Sequence, residues 1–277
     1  MGNMDVQDWI GRSEQTQDLL IPRSAQFMQA TLGQKTTLQH GDALPPLWHW
    51  LYFLEAKPRD ELGRDGHPQK GGFVPPVALP RRMWAGGRFE FQNPLVLGQE
   101  ATRVSTIQSV QEKEGRSGPL CFVTVRHEIR QRDQVSLTEE HDIVYRADPD
   151  PNAPKPTPAQ APQQAEVSEQ IKPDPTLLFR YSALMFNGHR IHYDVDYARD
   201  VEGYDGLVFH GPLTATLLAD LAQRHLGEPL KQFSFRGVAP IAGMAPFHIE
   251  AASDGAGLKL WARRQDGVLA MTAKALA

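Results

Sequence analysis

The stretch SALMFNGHRIHYDVDYAR (182–199), followed eleven residues later by HGPLTATLLADLAQRHLG (210–227), decides the reading of this 277-residue chain. In the second segment Pro212 sits in a first helical turn, where its missing N–H costs nothing, and Gly227 stands where a helix stops. Between them Leu213, Leu217, Leu218, Leu221 and Leu226 form one broad stripe, so the predicted helix has to be buried. Strand-like runs follow near 231–238, 246–252, 258–264 and 268–276, joined by the tight-turn sequences SDGAG and QDG. Strands joined by hairpins need no crossover, and the apolar face of such a sheet has one obvious partner, the helix before it. These residues predict a long antiparallel sheet curled round a central helix.

The first half repeats the plan. PPLWHWLYFLEAKP (45–58) places Pro45 and Pro46 at a helix start and Pro58 just past its end, with Leu47, Leu51 and Leu54 at helical spacing. Trp48, Trp50, Tyr52 and Phe53 make the segment apolar nearly all round, as a second wrapped helix requires. Strand-like runs lie near 83–91, 99–112, 120–131 and 135–146. In the third of these Cys121, Val123, Val125 and Ile129 alternate with Thr124, Arg126 and Glu128, the pattern of one buried sheet face. The expected fold is therefore α+β, with two antiparallel sheets each wrapped around a central helix. Between the halves DPDPNAPKPTPAQAPQQ (148–164), with six prolines among small polar residues, reads as an extended linker. The division predicted is an N-terminal unit over 1–147, a Pro-rich linker over 148–172 and a C-terminal unit over 173–277.

Composition narrows the function. A net charge of −4 and a pI near 6.2 give no footprint for wrapping a polyanion, so no nucleic-acid partner is expected. A single cysteine, Cys121, closes no intramolecular disulfide, which fits a reducing, cytoplasmic setting. No apolar run reaches membrane-spanning length, and MGNMDVQDWIGRSEQ lacks the regions of a signal peptide, so neither membrane nor export is expected.

The chemistry-bearing types concentrate in the opening stretch. His189, His192, Asp194 and Asp196 lie within eight residues, and imidazole is the side chain whose ordinary pKa sits near neutrality. A lone histidine is more often a hydrogen-bonded structural residue, a reading that fits His189 better than His192. His-x-x-His-x-Asp also offers metal ligands, but the spacing is unspecific and a third or fourth defined ligand is missing, so no metal is expected. Gly211 opens the buried helix, where backbone N–H groups lack partners and the dipole is positive. An oxyanion fits there, although a glycine making a tight strand-to-helix turn accounts for the residue equally well.

These segments resemble the signature of the MaoC-like hotdog (R)-specific enoyl-CoA hydratases and dehydratases, whose loop reads Asp-x-Asn-Pro-x-His-x-Asp and whose helix opens with His-Gly. The likeness is strong over about 177–225. It implies a double hotdog in which 1–147 is a degenerate, non-catalytic copy. FNGHRIHYD together with LPRRMWAGG (79–87) most resembles the subgroup of mesaconyl-C4-CoA and itaconyl-CoA hydratases. By this resemblance His192 stands at the catalytic histidine, Asn187 at the catalytic Asp, and Gly211 at the glycine whose N–H forms the oxyanion hole. His189, Arg190, Tyr193, His210, Arg82 and Trp84 are the expected substrate-binding residues.

The implied reaction adds or removes water across the double bond of a short-chain, dicarboxylic enoyl-CoA, with the thioester as substrate and no cofactor. His192 would activate the water, Gly211 N–H would hold the enolate oxygen and Asn187 the water, since an amide exchanges no proton as a carboxylate does. Arginine grips carboxylates through its planar fork, and Arg82 and Arg190 are the favoured candidates. Two rivals stand beside this: a hotdog thioesterase, for which the helix offers only Asp220 as acid, and an inactive acyl-thioester-binding protein, suggested by Asn187. A homodimer or higher homo-oligomer is expected.

Overall fold

The computed structural model describes residues 5–115, 118–148 and 157–277. Among these residues ten antiparallel strands form one continuous sheet in the order β1-β3-β4-β5-β2-β7-β10-β9-β8-β6. The N-terminal half supplies β1 (Ser13–Leu19), β2 (Arg81–Phe91), β3 (Glu100–Gly115), β4 (Gly118–Gln131) and β5 (Gln134–Arg146). The C-terminal half supplies β6 (Val167–Ile171), β7 (Gln232–Gly237), β8 (Phe247–Asp254), β9 (Gly257–Arg264) and β10 (Leu269–Leu276). The second order is the first one reflected, so the halves are related by a pseudo-twofold through the β2–β7 seam. There Gly86 to Glu90 pair with Arg236 to Gln232. A β-carbon on Gly86 would lie 2.6 Å from the Phe235 carbonyl oxygen, so the close approach of the two strands needs a glycine.

Each half has the same element order: an edge strand, a proline-initiated helix, an apolar segment, then four strands. The helices are α1 (Pro22–Thr31) and α2 (Pro175–Leu184), which pack on each other, and α3 (Gly211–Leu226), which lies across the C-terminal strands. α3 begins and ends where the sequence places it, with Pro212 in the first turn and Gly227 left-handed at φ 71°. Its residues Leu213, Ala215, Leu218, Ala219 and Ala222 are fully buried in a core shared by both halves.

Two expectations need correction. The segment 45–58 is not a helix: only Trp48–Leu51 forms a 3₁₀ turn, bounded by Leu47 and Phe53 at positive φ. The buried Glu139 carboxylate accepts from His49 Nε2 at 2.9 Å and Trp50 Nε1 at 3.1 Å. Leu47 at φ 67° and Phe53 at φ 56° lie outside right-handed helical geometry, so no continuous helix runs through the segment. The double hotdog is thus built on one long central helix, with a buried aromatic turn in the place of the other. The linker also ends earlier than expected, because Val167–Ile171 pairs with β8 as an edge strand. Of the proline-rich run, 149–156 lies outside the described residues. Among the described residues no helix is long and apolar enough to cross a membrane.

Candidate active site

The loop 186–194 between α2 and α3 carries the predicted histidines, and its geometry is fixed by hydrogen bonds to the segment entering α3. Val208 N donates to Ile191 O at 2.9 Å, and His192 Nδ1 donates to Val208 O at 2.7 Å. That second bond sets the tautomer: with its proton on Nδ1, neutral His192 carries a lone pair on Nε2. Burial pushes the His192 imidazole down to about 4, against the hydrogen bond to Val208. The ring is therefore a neutral proton acceptor near pH 7. Behind it the fully buried His210 stacks at 3.6 Å and 19° and bonds Ser182 Oγ at 2.8 Å.

His192 and Gly211 line one cavity of about 840 Å³, a size suited to a small acyl group with part of a carrier. As the first residue of α3, Gly211 presents an N–H with no acceptor inside the helix, at the positive end of the dipole. The space beside it is open, since a β-carbon there would meet nothing within 4 Å. Asn187 also lines the cavity. Its Oδ1 accepts from His189 N at 3.0 Å, so the amide NH₂ is the part not committed to the loop.

The remaining predicted residues divide. His189, Arg82 and Trp84 line the cavity. Trp84 stacks on His141 at 3.9 Å, and Arg82 Nη2 donates to Pro68 O at 3.2 Å. Arg190, Tyr193 and His210 do not line it. The Arg190 guanidinium donates to Asp194 at 2.7 and 3.0 Å and lies over the Tyr197 ring at 4.1 Å. Tyr193 is 52% exposed and donates to Gly188 O. His210 supports His192 from behind.

The N-terminal half contributes more wall than its expected non-catalytic role implies, through His67, Lys70, Arg82, Trp84, His141 and Arg146. His67 had no signal in the sequence beyond a loop-like GHPQKGG. Its Nδ1 bonds Asp65 Oδ2 at 2.9 Å, its backbone N–H bonds Asp65 Oδ1 at 3.0 Å, and its ring lies 4.2 Å from that of His189. Burial pushes the His67 imidazole down against the hydrogen bond and charge of Asp65; burial pushes Asp65 up, but the contact with His67 holds its carboxyl below the usual range. Donor atoms of Asp65, His67 and His189 fall within 4.8 Å of one another, the one such grouping among the described residues. Both Asp65 oxygens are already committed to His67, which leaves this trio poorly suited to hold a metal ion.

The His192 imidazole and the helix-opening amide of Gly211 share one cavity of a double hotdog, the arrangement that the resemblance to MaoC-like hydratases and dehydratases implies. The family model for hydroxyacyl-thioester dehydratase type 2 matches residues 47–243, and the chain belongs to that family. The mesaconyl-C(4)-CoA hydratase of Chloroflexus aurantiacus is 48% identical over 275 residues, covering 99% of this chain and 98% of the relative. A MaoC-like dehydratase structure from Phytophthora capsici superposes with a TM-score of 0.71 at 13% identity, over 98% of this chain and 96% of that one. A Mycobacterium tuberculosis protein described as a double hotdog matches with a TM-score of 0.56 at 15% identity, over 96% of each chain. At these identities the two structures speak for the fold alone.

Proposed function

We propose that this chain is a hydro-lyase that hydrates a short dicarboxylic enoyl-CoA of the mesaconyl-C4 or itaconyl type, with the reaction running at His192, Asn187 and Gly211. The observation that carries the reading is the shared cavity of the His192 imidazole and the Gly211 amide. Water held by the Asn187 amide gives a proton to His192 Nε2 as its oxygen bonds the β-carbon. The π electrons move to the thioester oxygen, where the Gly211 N–H meets the developing charge. The 48% identical relative is named for mesaconyl-C(4)-CoA, which supports the dicarboxylic class.

So do Arg82 and Arg146, which line the cavity and pair with no carboxylate among the described residues. Either suits a substrate carboxylate. The thioesterase alternative lacks its acid, because Asp220 pairs with Arg224 at 3.0 Å and does not line the cavity. Loss of enoyl-thioester absorbance across a panel of enoyl-CoAs of different length and carboxylation tests the reading. It expects mesaconyl-C4-CoA to outpace crotonyl-CoA, with no free thiol released. Thiol release without loss of the double bond would overturn it.

A further inference from the structure

Hydration moves two protons' worth of chemistry: one leaves water at the β-carbon and one enters the α-carbon. His192 is poorly equipped to serve both. Its Nδ1 is committed to the Val208 carbonyl, which leaves Nε2 as the one ring atom that could exchange a proton at either carbon. The amide of Asn187 gives and takes no proton. A carboxylate–imidazole pair nevertheless stands on the same wall, contributed by the other half of the molecule. His67 lines the cavity, and Asp65 behind it accepts from both the ring and the backbone of His67.

The placement of this pair is built into the fold. Asp65 O accepts from Arg190 N at 2.9 Å, which ties the 63–68 loop directly to the histidine loop of the C-terminal half. At that junction Gly66 and Gly188 face each other so closely that a β-carbon on Gly66 would come within 2.0 Å of Gly188 O, and one on Gly188 within 2.7 Å of Gly66 O. His67 is thereby held beside His189, whose ring lies edge-on to His192 at 5.4 Å.

We propose that His67 is a second catalytic acid–base group, exchanging the proton at the α-carbon while His192 exchanges the proton of water, and that Asp65 positions it and supports its charge. This rests on the hydratase reading above. One proton resides on the two imidazoles in each state. With the enoyl thioester bound, it sits on His67, where the hydrogen bond and charge of Asp65 oppose the burial that otherwise lowers this imidazole. Water adds its oxygen to the β-carbon and gives a proton to His192, the π electrons pass to the thioester oxygen, and the enolate α-carbon takes the proton of His67. His67 is left neutral and His192 protonated. Transfer from His192 back to His67, across His189 or through solvent in the cavity, restores the start. The reverse order describes dehydration, with neutral His67 removing the α-proton.

The test uses the full chain, mesaconyl-C4-CoA and, in D₂O, the hydrated thioester isolated from wild-type turnover, with α-deuterium read by mass spectrometry. His192→Ala is expected to abolish hydration yet still exchange the α-protons of the hydrated thioester. His67→Gln should lose exchange and lower kcat by about 10²-fold or more. Asp65→Asn should slow exchange at least tenfold with KM within twofold, a split that a merely structural role would not produce. Circular dichroism and the binding of product to each variant confirm that the fold is kept, and His67→Asn is a second probe where His67→Gln is unstable. Near-normal turnover and exchange in folded His67 variants would overturn the proposal and leave the hydratase reading standing. Loss of exchange in His192→Ala would assign both carbons to one base and also overturn it. Absence of hydration by wild type on every enoyl-CoA would instead remove the underlying reading.

Discussion

Gly66 and Gly188 belong to different halves of the chain, and the space between their backbones admits no side chain: a β-carbon at position 66 would lie 2.0 Å from the Gly188 carbonyl oxygen. Gly66 also has φ 86°, a left-handed conformation that costs an L-residue energy. Gly66→Ala is therefore expected to undock the 63–68 loop from the histidine loop. Activity should fall at least tenfold and stability by about 1–3 kcal/mol, measured by urea unfolding. Unchanged activity would mean that the contact between the loops does not shape the site.

His192→Ala should lower kcat on the best enoyl-CoA by about 10²- to 10⁴-fold, the range for a positioned proton-transfer group. Thermal unfolding monitors the fold. A loss smaller than tenfold would remove His192 from the chemistry.

The pH profile has a direction set by burial. His192 must be neutral to accept a proton, and desolvation holds its imidazole at about 4 instead of the ordinary 6.5. The acid limb of kcat/KM for the free enzyme should accordingly fall near pH 4, two units or more below that of an exposed histidine. A limb at 6.5 would place the essential base elsewhere.

Arg82→Ala should separate substrates. With a carboxylate clamp at this position, KM for mesaconyl-C4-CoA rises at least tenfold while that for crotonyl-CoA moves little. Equal changes on both thioesters would assign the arginine to the CoA portion or to the wall alone.

Glu139 reports on the N-terminal core. Burial pushes its carboxyl up, yet the hydrogen bond and charge of His49, with His127 and His141, hold it at about 2. A carboxyl depressed in the folded state stabilises it above the unfolded value, and the contribution is lost as pH falls from about 4.5 toward 2. Glu139→Leu would strip the acceptor from both His49 and Trp50 and should cost roughly 3–5 kcal/mol. Its unfolding should also lose part of the acid dependence over that interval, as urea titrations at several pH values would show.

Local signals explain what could be read in advance. α3 announces itself through Pro212, Gly227 and the leucine stripe, and eight of the ten strands follow from alternation between turn sequences. β1 (SEQTQDL) and β6 (VSEQI) escaped because they are edge strands with exposed, largely polar residues, which leave little pattern to find. The 45–58 segment looks helical by local criteria, yet it folds as a short 3₁₀ turn between left-handed Leu47 and Phe53, with His49 and Trp50 bonded to Glu139 some ninety residues away. His192, Asn187 and Gly211 could be singled out as candidates because one loop and one helix start carry them, and the fold brings all three to one cavity. Asp65 and His67 were not, since their partners lie more than a hundred residues on and only folding brings them near. Arg190, singled out from the same loop, pairs with Asp194 four residues along and does not line the cavity.

The seam between β2 and β7 has a consequence for any attempt to use one half by itself. Excising the C-terminal half would bare the amides and carbonyls of Gln232–Gly237 along an edge and uncover Phe233 and Phe235, which are buried against Phe89 of the other half. Such an edge recruits whatever strand it meets. The smallest piece of this molecule that stays monodisperse is then the whole tandem, and a shortened version is expected to precipitate or to pair with itself.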